Sequence, residues 1–346
     1  MRIAITADPY LPVPPRLYGG IERVIDLLVR GLAARGHEVT LFAHPASHTA
    51  ATLRPYGVPP HMTRAARLRE VAQVGTGLWR MRRSVDVVHS FGRLAALLPI
   101  LPLRGLAKIQ SYQRPVPWAG VRRATQLAGR SLVFTGCSTS LYAGEQTRAA
   151  GSRWCTIFNG VDTTRYTPAA HVAADAPLVF LGRLERIKGP HHAIAIARRA
   201  GRRLVLAGNL ASDGPDARFY HEEIEPHLDD DRVRYIGPVD DRQKNVLLRA
   251  AAALLMPIEW DEPFGIVMAE AFACGTPVIA FPRGSVAEVV QHGVTGFHCG
   301  SVDEAAAAGG RLGANDRAAV RAECERRFSH DAIVHAYEQL YQEVGR

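Results

Sequence analysis

The chain has 346 residues, 47% of them hydrophobic, and a formal net charge of +9, which is long enough for two domains with separate cores. No apolar run reaches the roughly 18–20 residues of a spanning helix. The opening Met-Arg-Ile-Ala-Ile-Thr-Ala-Asp is too short an apolar run for a signal peptide, so a helical membrane protein is excluded and a cytoplasmic one is expected. Cysteines 137, 155, 274, 299 and 324 form no C-x-x-C pair; they exclude a zinc-finger spacing and predict buried free thiols.

In chain order, Ile3–Ala7 is a short apolar strand. Gly20–Arg35 has apolar residues at 21, 24, 25, 28 and 32, the period of a helix. His37–Ala43 and Val85–His89 read as strands, and Leu132–Cys137 leads into Ser138-Thr139-Ser140, a predicted helix cap. The second half repeats the scheme. Leu178–Leu181, Arg203–Ala207, Val233–Ile236, Ala252–Met256 and Val278–Phe281 are strands; Pro190–Ala200 and Gln243–Ala250 are helices. Ala332–Val344 is an amphipathic helix expected to pack back on the first domain.

Alternating strands and helices predict an α/β protein with parallel sheets covered on both faces. A split near Pro168–Pro177 gives two doubly wound, Rossmann-like domains, 1–168 and 169–330, with the helix 331–346 returning to the first. Their charges differ. Residues 1–168 hold 22 Lys and Arg against 8 Asp and Glu, whereas residues 169–346 hold 20 against 25. Different partners for the two domains follow from that asymmetry. In open α/β sheets ligands bind beyond the carboxyl ends of the strands, so two facing domains would enclose a cleft there.

The richest stretch is Glu262-Pro-Phe-Gly-Ile-Val-Met-Ala-Glu270, followed by Ala-Phe-Ala-Cys-Gly-Thr-Pro-Val-Ile-Ala. It places two carboxylates around a helix start. Helix N-terminal amides favour an anion, and carboxylates accept from hydroxyls; a sugar nucleotide offers both groups. On one helix the two glutamates would lie about 12 Å apart, wider than the roughly 5–9.5 Å of a glycosidase pair; Pro263 sets Glu262 outside that helix, which would shorten the distance, and the Gly265 entry still favours ligand cradling over acid/base work. Arg183 and Lys188, after a predicted strand and before a helix, suit a diphosphate. Gly19-Gly20 after the first strand lets amides approach a ligand, but Tyr18-Gly19-Gly20-Ile21-Glu22 is not a G-x-G-x-x-G fingerprint.

Other features have plainer readings. Asp229-Asp230-Asp231 reads as a solvated acidic loop, and His191-His192 and Asp240-Asp241 as surface pairs. No His, Cys and Asp set has metal-ligand spacing, so no metal site is expected. Arg64, Arg67, Arg69, Arg80, Arg82 and Arg83 around Val71–Trp79 admit three readings: a charged helix face, a weak membrane-surface contact, or attraction of an anionic substrate. Nucleic acid is excluded as a partner by the few aromatics and missing motifs.

Taken together, these motifs resemble the retaining GT-B glycosyltransferases of family 4, nearly end to end. Glu262–Ile279 is similar to the family's Glu-x7-Glu motif, Gly182–Gly189 to its phosphate motif, and Asn159–Asp162 to its hinge. Gly19–Glu22 is similar to its N-terminal glycine loop and Gly284–Gly296 to its second Glu-bearing loop. The resemblance implies a nucleotide-diphosphate sugar, UDP- or GDP-linked, as co-substrate, with no cofactor. Arg183 and Lys188 would hold the diphosphate, with Gly182, Gly208 and Asn209 beside them. Glu270 would take the ribose. Glu262 and the backbone of Phe264, Gly265, Ile266 and Val267 would take the donor sugar. Pro238 and Val239 would meet the base, and Gly19 and Gly20 would close on the phosphates.

One position departs from the family. Members often carry a His after the strand that here reads Ala107-Lys108-Ile109-Gln110-Ser111, and Gln110 stands in its place. His89 matches a different family His and is expected near the acceptor. A Gln hydrogen-bonds but does not share a proton at neutral pH. The acceptor stays open between a glycan, a natural product and a lipid-linked molecule at the inner membrane face; a transfer-inactive nucleotide-sugar-binding protein is the other alternative. The Arg- and Ala-rich composition is similar to that of actinomycete enzymes that decorate antibiotics such as avilamycin.

Overall fold

The computed structural model describes residues 1–15, 19–57, 63–229, 231–312 and 316–345. The chain forms two compact units, Met1–Gly160 with His330–Arg346, and Val161–Ser329. Among the described residues each unit holds one all-parallel sheet.

The first unit contains strands β1 (Arg2–Thr6), β2 (Glu38–Ala43), β3 (Thr52–Pro55), β4 (Val87–Ser90), β5 (Ala107–Tyr112), β6 (Leu132–Gly136) and β7 (Arg153–Thr156). Their order across the sheet is β3-β2-β1-β4-β5-β6-β7. Helices α1 (Gly20–Ala34), α2 (Arg64–Met81) and α3 (Trp118–Ala128) connect them. The interior strands β4, β5 and β6 are buried along their whole length, as a sheet covered on both faces requires. The α1 stripe of Val24, Ile25, Leu28 and Leu32 is fully buried. Gly31 interrupts that helix for a packing reason: a Cβ there would lie 2.4 Å from Val334 Cγ2. The close neighbour belongs to the C-terminal helix of this unit, which Arg35 also holds through Glu338 at 2.6 Å and Asp331 at 3.1 Å.

The second unit contains β8 (Leu178–Leu181), β9 (Leu204–Ala207), β10 (Val233–Tyr235), β11 (Ala253–Met256), β12 (Val278–Ala280) and β13 (Gly296–His298), ordered β10-β9-β8-β11-β12-β13. Its helices are α4 (Pro190–Arg199), α5 (Gly214–Phe219), α6 (Asp241–Ala250), α7 (Ile266–Ala273), α8 (Val286–Val289), α9 (Val302–Gly310) and α10 (Arg317–Phe328); α11 (His330–Val344) returns to the first unit. Asp240 caps α6 through Gln243 in a reciprocal capping box, so this acidic pair has a structural task. Arg317 is buried and donates to the carbonyls of Ala169, Arg249, Ala251 and Cys274. It thereby neutralises the negative carboxyl ends of α6 and α7.

Both sheets therefore share the order 3-2-1-4-5-6 in their own strand count, which the first extends by a seventh strand, β7. The direction of winding reverses between β1 and β4 in one unit and between β8 and β11 in the other, the place where such sheets open a crevice. The expected helix after Ser138-Thr139-Ser140 does not form; residues 141–145 are turns. Thr139 Oγ1 meets Thr156 Oγ1 at 2.8 Å, and Tyr142 stacks on Trp154 with ring centroids 4.8 Å apart. Those contacts hold the segment against β7. Cys137, Cys274, Cys299 and Cys324 are buried and Cys155 half-buried, all as free thiols. Burial pushes Cys155 and Cys299 up to about 11, and Cys274 and Cys324 up to about 12, so these are inert packing residues.

Candidate functional site

In the second unit the loops that leave β8, β9 and β10 are tied together by backbone hydrogen bonds. Gly182 N donates to Ala207 O at 3.0 Å, Leu184 N to Asn209 O at 3.0 Å, and Gly208 N to Gly237 O at 2.9 Å. Gly208 has φ +145, and a Cβ there would lie 1.8 Å from Gly182 O. Only glycine allows the two loops to close on each other. The structure so brings Gly182, Arg183, Gly208 and Asn209 together, with Pro238 and Val239 following Gly237 on the adjoining loop.

Arg183 is half-exposed and paired with Glu185. Lys188 meets Glu262 instead: its Nζ donates to Glu262 Oε2 at 2.6 Å and lies 4.4 Å from the Trp260 ring centroid. Trp260 Nε1 donates to the same oxygen at 3.1 Å. Gly189, which follows Lys188, has φ +76, and a Cβ there would lie 2.0 Å from Pro257 O. The β8 and β11 loops approach closely for that reason. Glu262 is buried, at 9% exposure. Its backbone is packed by Gly284, where a Cβ would be 2.5 Å from Glu262 N and O, and Ser285 N donates to Glu262 O at 2.9 Å.

Gly265 precedes α7 with φ +71. No side chain caps α7 and no acidic residue occupies its first turn, which leaves the positive helix end uncompensated. Phe264 is buried against Phe328, while Ile266 and Val267 are half-buried. On α7, Glu270 accepts from Tyr166 Oη at 2.9 Å and pairs with Lys244 of α6. Lys244 also lies 3.1 Å from Asp241.

Lys244 is the residue missed from the sequence. The signal was its rarity: Lys occurs only at 108, 188 and 244 in a chain that otherwise uses Arg. Each has a specific placement, since Lys108 donates to Leu103 O and Leu106 O at 2.6 and 2.8 Å. A compact ammonium fits where a guanidinium fork does not.

Glycines 19 and 20 follow β1 in the first unit. Gly19 has φ +144, and a Cβ there would lie 2.8 Å from Glu22 Oε2. Tyr18 lies outside the described residues. Gln110 is 1% exposed; its Nε2 donates to Gly92 O at 3.0 Å, and its Oε1 has no partner among the described residues. His89 corrects an expectation. It is fully buried, with Nδ1 2.7 Å from Tyr341 Oη and Nε2 2.6 Å from Ser111 Oγ. Burial alone pushes its pKa down to about 3. His89 is a neutral core residue pinning α11 to the sheet, and no nitrogen is left to meet an acceptor.

A cavity of about 740 Å³ opens in the first unit among Asp8, Phe91, Gly92, Gln110, Tyr112 and Arg114. These residues follow or end β1, β4 and β5, so the cavity lies at that sheet's point of reversal. The acidic run has no ligand-like geometry. Asp229 Oδ1 accepts from the N–H groups of Asp231, Arg232 and Val233 at 3.1, 2.7 and 2.9 Å; Asp230 lies outside the described residues. The histidine pair is less isolated than expected: His191 and His192 both approach Glu259 Oε1, at 3.3 and 2.9 Å. Glu259 is 67 positions from His192, a separation that hides the grouping in the sequence. Among the described residues no helix is long and apolar enough to cross a membrane.

Residues 170–317 match the family described as Glycosyl transferases group 1, and residues 18–165 match Glycosyltransferase Family 4. The glycogen synthase of Mycobacterium tuberculosis is 29% identical over 88% of this chain and 84% of its own. The crystal structure of AviGT4, a glycosyltransferase involved in avilamycin A biosynthesis, is 28% identical, with a TM-score of 0.70 over 99% of this chain and 98% of that one. Anabaena HepE in complex with UDP-glucose shares the fold at 22% identity and a TM-score of 0.72, covering 99% of this chain and 100% of that one. The glycine-closed loops, the paired charges at the strand ends and these matches lead to one assignment. The chain belongs to the group 1, family 4 glycosyltransferases, as a retaining, nucleotide-sugar-dependent enzyme of GT-B fold.

Proposed function

We propose that the enzyme moves a hexosyl or pentosyl unit from a UDP- or GDP-sugar to a small-molecule acceptor of the natural-product kind. The observation that carries the donor half is the Lys188–Glu262–Trp260 group beside the uncapped start of α7. Lys188 and Arg183 would meet the diphosphate as point charge and planar fork. The second oxygen of Glu262 would accept from a donor-sugar hydroxyl. Glu270, oriented by Lys244 and Tyr166, would accept from the ribose. Pro238, Val239, Gly208 and Asn209 would line the base and phosphate side.

In the reaction the bond from the anomeric carbon to the diphosphate oxygen breaks and a bond to the acceptor oxygen forms on the same face. The acceptor proton passes to the departing phosphate oxygen, and nucleoside diphosphate leaves. Arg183 and Lys188 would stabilise the growing negative charge, and positioning rather than a protein nucleophile would do the rest. Gln110 would orient groups by hydrogen bonding without carrying a proton. The full-length likeness to AviGT4 supports a natural-product acceptor over a lipid-linked one.

Thermal shift against UDP-, GDP-, ADP- and dTDP-sugars tests the donor, because a ligand at 100 times its Kd stabilises by about 2.7 kcal/mol. One nucleotide should raise the melting temperature well above the others. In Arg183→Ala, turnover should fall by about 100-fold or more with melting unchanged. An unaltered rate would sink the assignment of Arg183.

A further inference from the structure

The first-unit cavity has a chemistry of its own. About 740 Å³ falls within the roughly 300–1,000 Å³ typical of sites for compact organic ligands. Its walls are largely carbon. Leu98 and Leu127 stand 53% and 46% exposed among the described residues, apolar surface left open to a ligand. A site for a sugar chain needs donors and acceptors along its length to replace the water bound by each hydroxyl. The apolar part of this wall, with Leu94, Leu98, Leu101 and Leu127, does not provide them.

The cavity also carries polar groups, and several are already engaged. Arg114 reaches Asp8 at 3.4 Å. Arg93 donates to Tyr10 Oη at 2.7 Å and lies 3.9 Å from Glu70. Others remain open. Gln110 is buried and its Oε1 has no hydrogen-bond donor among the described residues, an arrangement that costs about 1–3 kcal/mol until a donor arrives. Arg123 lines the cavity as an exposed side chain; the cavity's other two arginines, Arg93 and Arg114, already face Glu70 and Asp8. The cavity is thus short of a hydroxyl donor at Gln110, open to a ligand oxygen at Tyr112 and Arg93, and open to an anion at the exposed Arg123.

We infer that the acceptor is a compact, mainly apolar molecule bearing a free hydroxyl and one acidic substituent. Its body lies against Leu98 and Leu127, its hydroxyl reaches Gln110 beside Asp8, and its acid meets Arg123. The inference rests on the glycosyl-transfer reading and specifies the acceptor for it. It separates this enzyme from one that extends a glucan, whose acceptor is hydroxyl-rich, and from one that glycosylates a long lipid chain.

The probes are 7-hydroxycoumarin-3-carboxylate and its ethyl ester, with binding followed by fluorescence in the presence of saturating UDP. Maltohexaose, and a polyprenyl phosphate in phosphatidylcholine vesicles, serve as competitors. The acid should bind about tenfold more tightly than the ester, and Arg123→Ala should erase that difference. Leu98→Asp should weaken both about tenfold while leaving the nucleotide-sugar thermal shift intact. Binding indifferent to Leu98→Asp would overturn the inference. So would displacement of the coumarins by maltohexaose or by the polyprenyl phosphate, or binding of those two where the coumarins fail. If no nucleotide sugar shifts the melting of the wild-type protein, the donor reading fails, and the fluorescence arm still reports on the cavity separately.

Discussion

The two sheets share one winding order, yet their points of reversal are lined in opposite ways. Beyond β8 and β11 stand paired charges: Arg183 with Glu185, Lys188 with Glu262, and Lys244 with Glu270 a little further along. Beyond β1 and β4 lies an apolar cavity rimmed by leucines and arginines. The same topology can therefore present a charged cradle or an oily pocket, because the loops set the chemistry and the sheet sets only the place. On the proposed reading the charged loops would meet a nucleotide diphosphate, whose fixed charge and shape leave those residues little freedom, and the apolar cavity would meet an acceptor, whose chemistry varies from enzyme to enzyme.

The comparison can be broken first at the charged end. Gly208→Ala would force a Cβ to 1.8 Å from Gly182 O at φ +145. The expected loss is about 3 kcal/mol or more; calorimetry should show the second unit melting roughly 6–12 °C lower. Lys244→Met comes next. It would leave the buried Glu270 carboxylate with Tyr166, costing about 3 kcal/mol and raising the donor KM about tenfold. Tyr166→Phe, which keeps the ion pair, should cost only about 1 kcal/mol. Equal effects from the two substitutions would show that Lys244 does not orient Glu270.

A slightly different probe reaches the other unit. His89 is neutral in the fold, with its pKa pushed down to about 3 from 6.5. Between those values the unfolded chain binds a proton that the folded one refuses, so stability falls as pH drops from 6.5 toward 3. The full loss approaches about 4–5 kcal/mol near pH 3. His89→Gln should be less stable than wild type at pH 7.5 but lose less on acidification, as read from urea midpoints at pH 7.5, 5.5 and 4.5. A parallel acid decline in both proteins would mean that other groups control it.

The loops proposed to hold the donor were legible as loops because their signals are local. Arg183 and Lys188 sit five positions apart and Glu262 and Glu270 eight apart, and glycines at 182, 189, 208 and 265 mark the close approaches. The strands were legible from short apolar runs. The partners were not: Lys244 reaches Glu270 across 26 positions and Glu259 reaches His192 across 67, which no spacing rule connects. His89 misled because a His at a strand end looks the same in sequence whether it faces a ligand or the core. Its two partners, Ser111 and Tyr341, lie 22 and 252 positions away. The apolar cavity was invisible for a related reason. Leu98, Leu127 and Gln110 come from three different elements and read individually as ordinary core or surface residues.

The central claim is a division of labour between the charged end of one sheet and the apolar end of the other. The most direct measurement is a pair of steady-state titrations, varying donor and acceptor in turn, on wild type, Lys188→Ala and Leu98→Asp. Lys188→Ala should lower kcat and raise the donor KM about tenfold or more with the acceptor KM unchanged, because an ammonium that holds Glu262 and would meet the diphosphate acts on the donor side alone. Leu98→Asp should raise only the acceptor KM. A variant that moves both KM values together, or a Leu98→Asp enzyme whose acceptor KM equals that of wild type, would contradict the account.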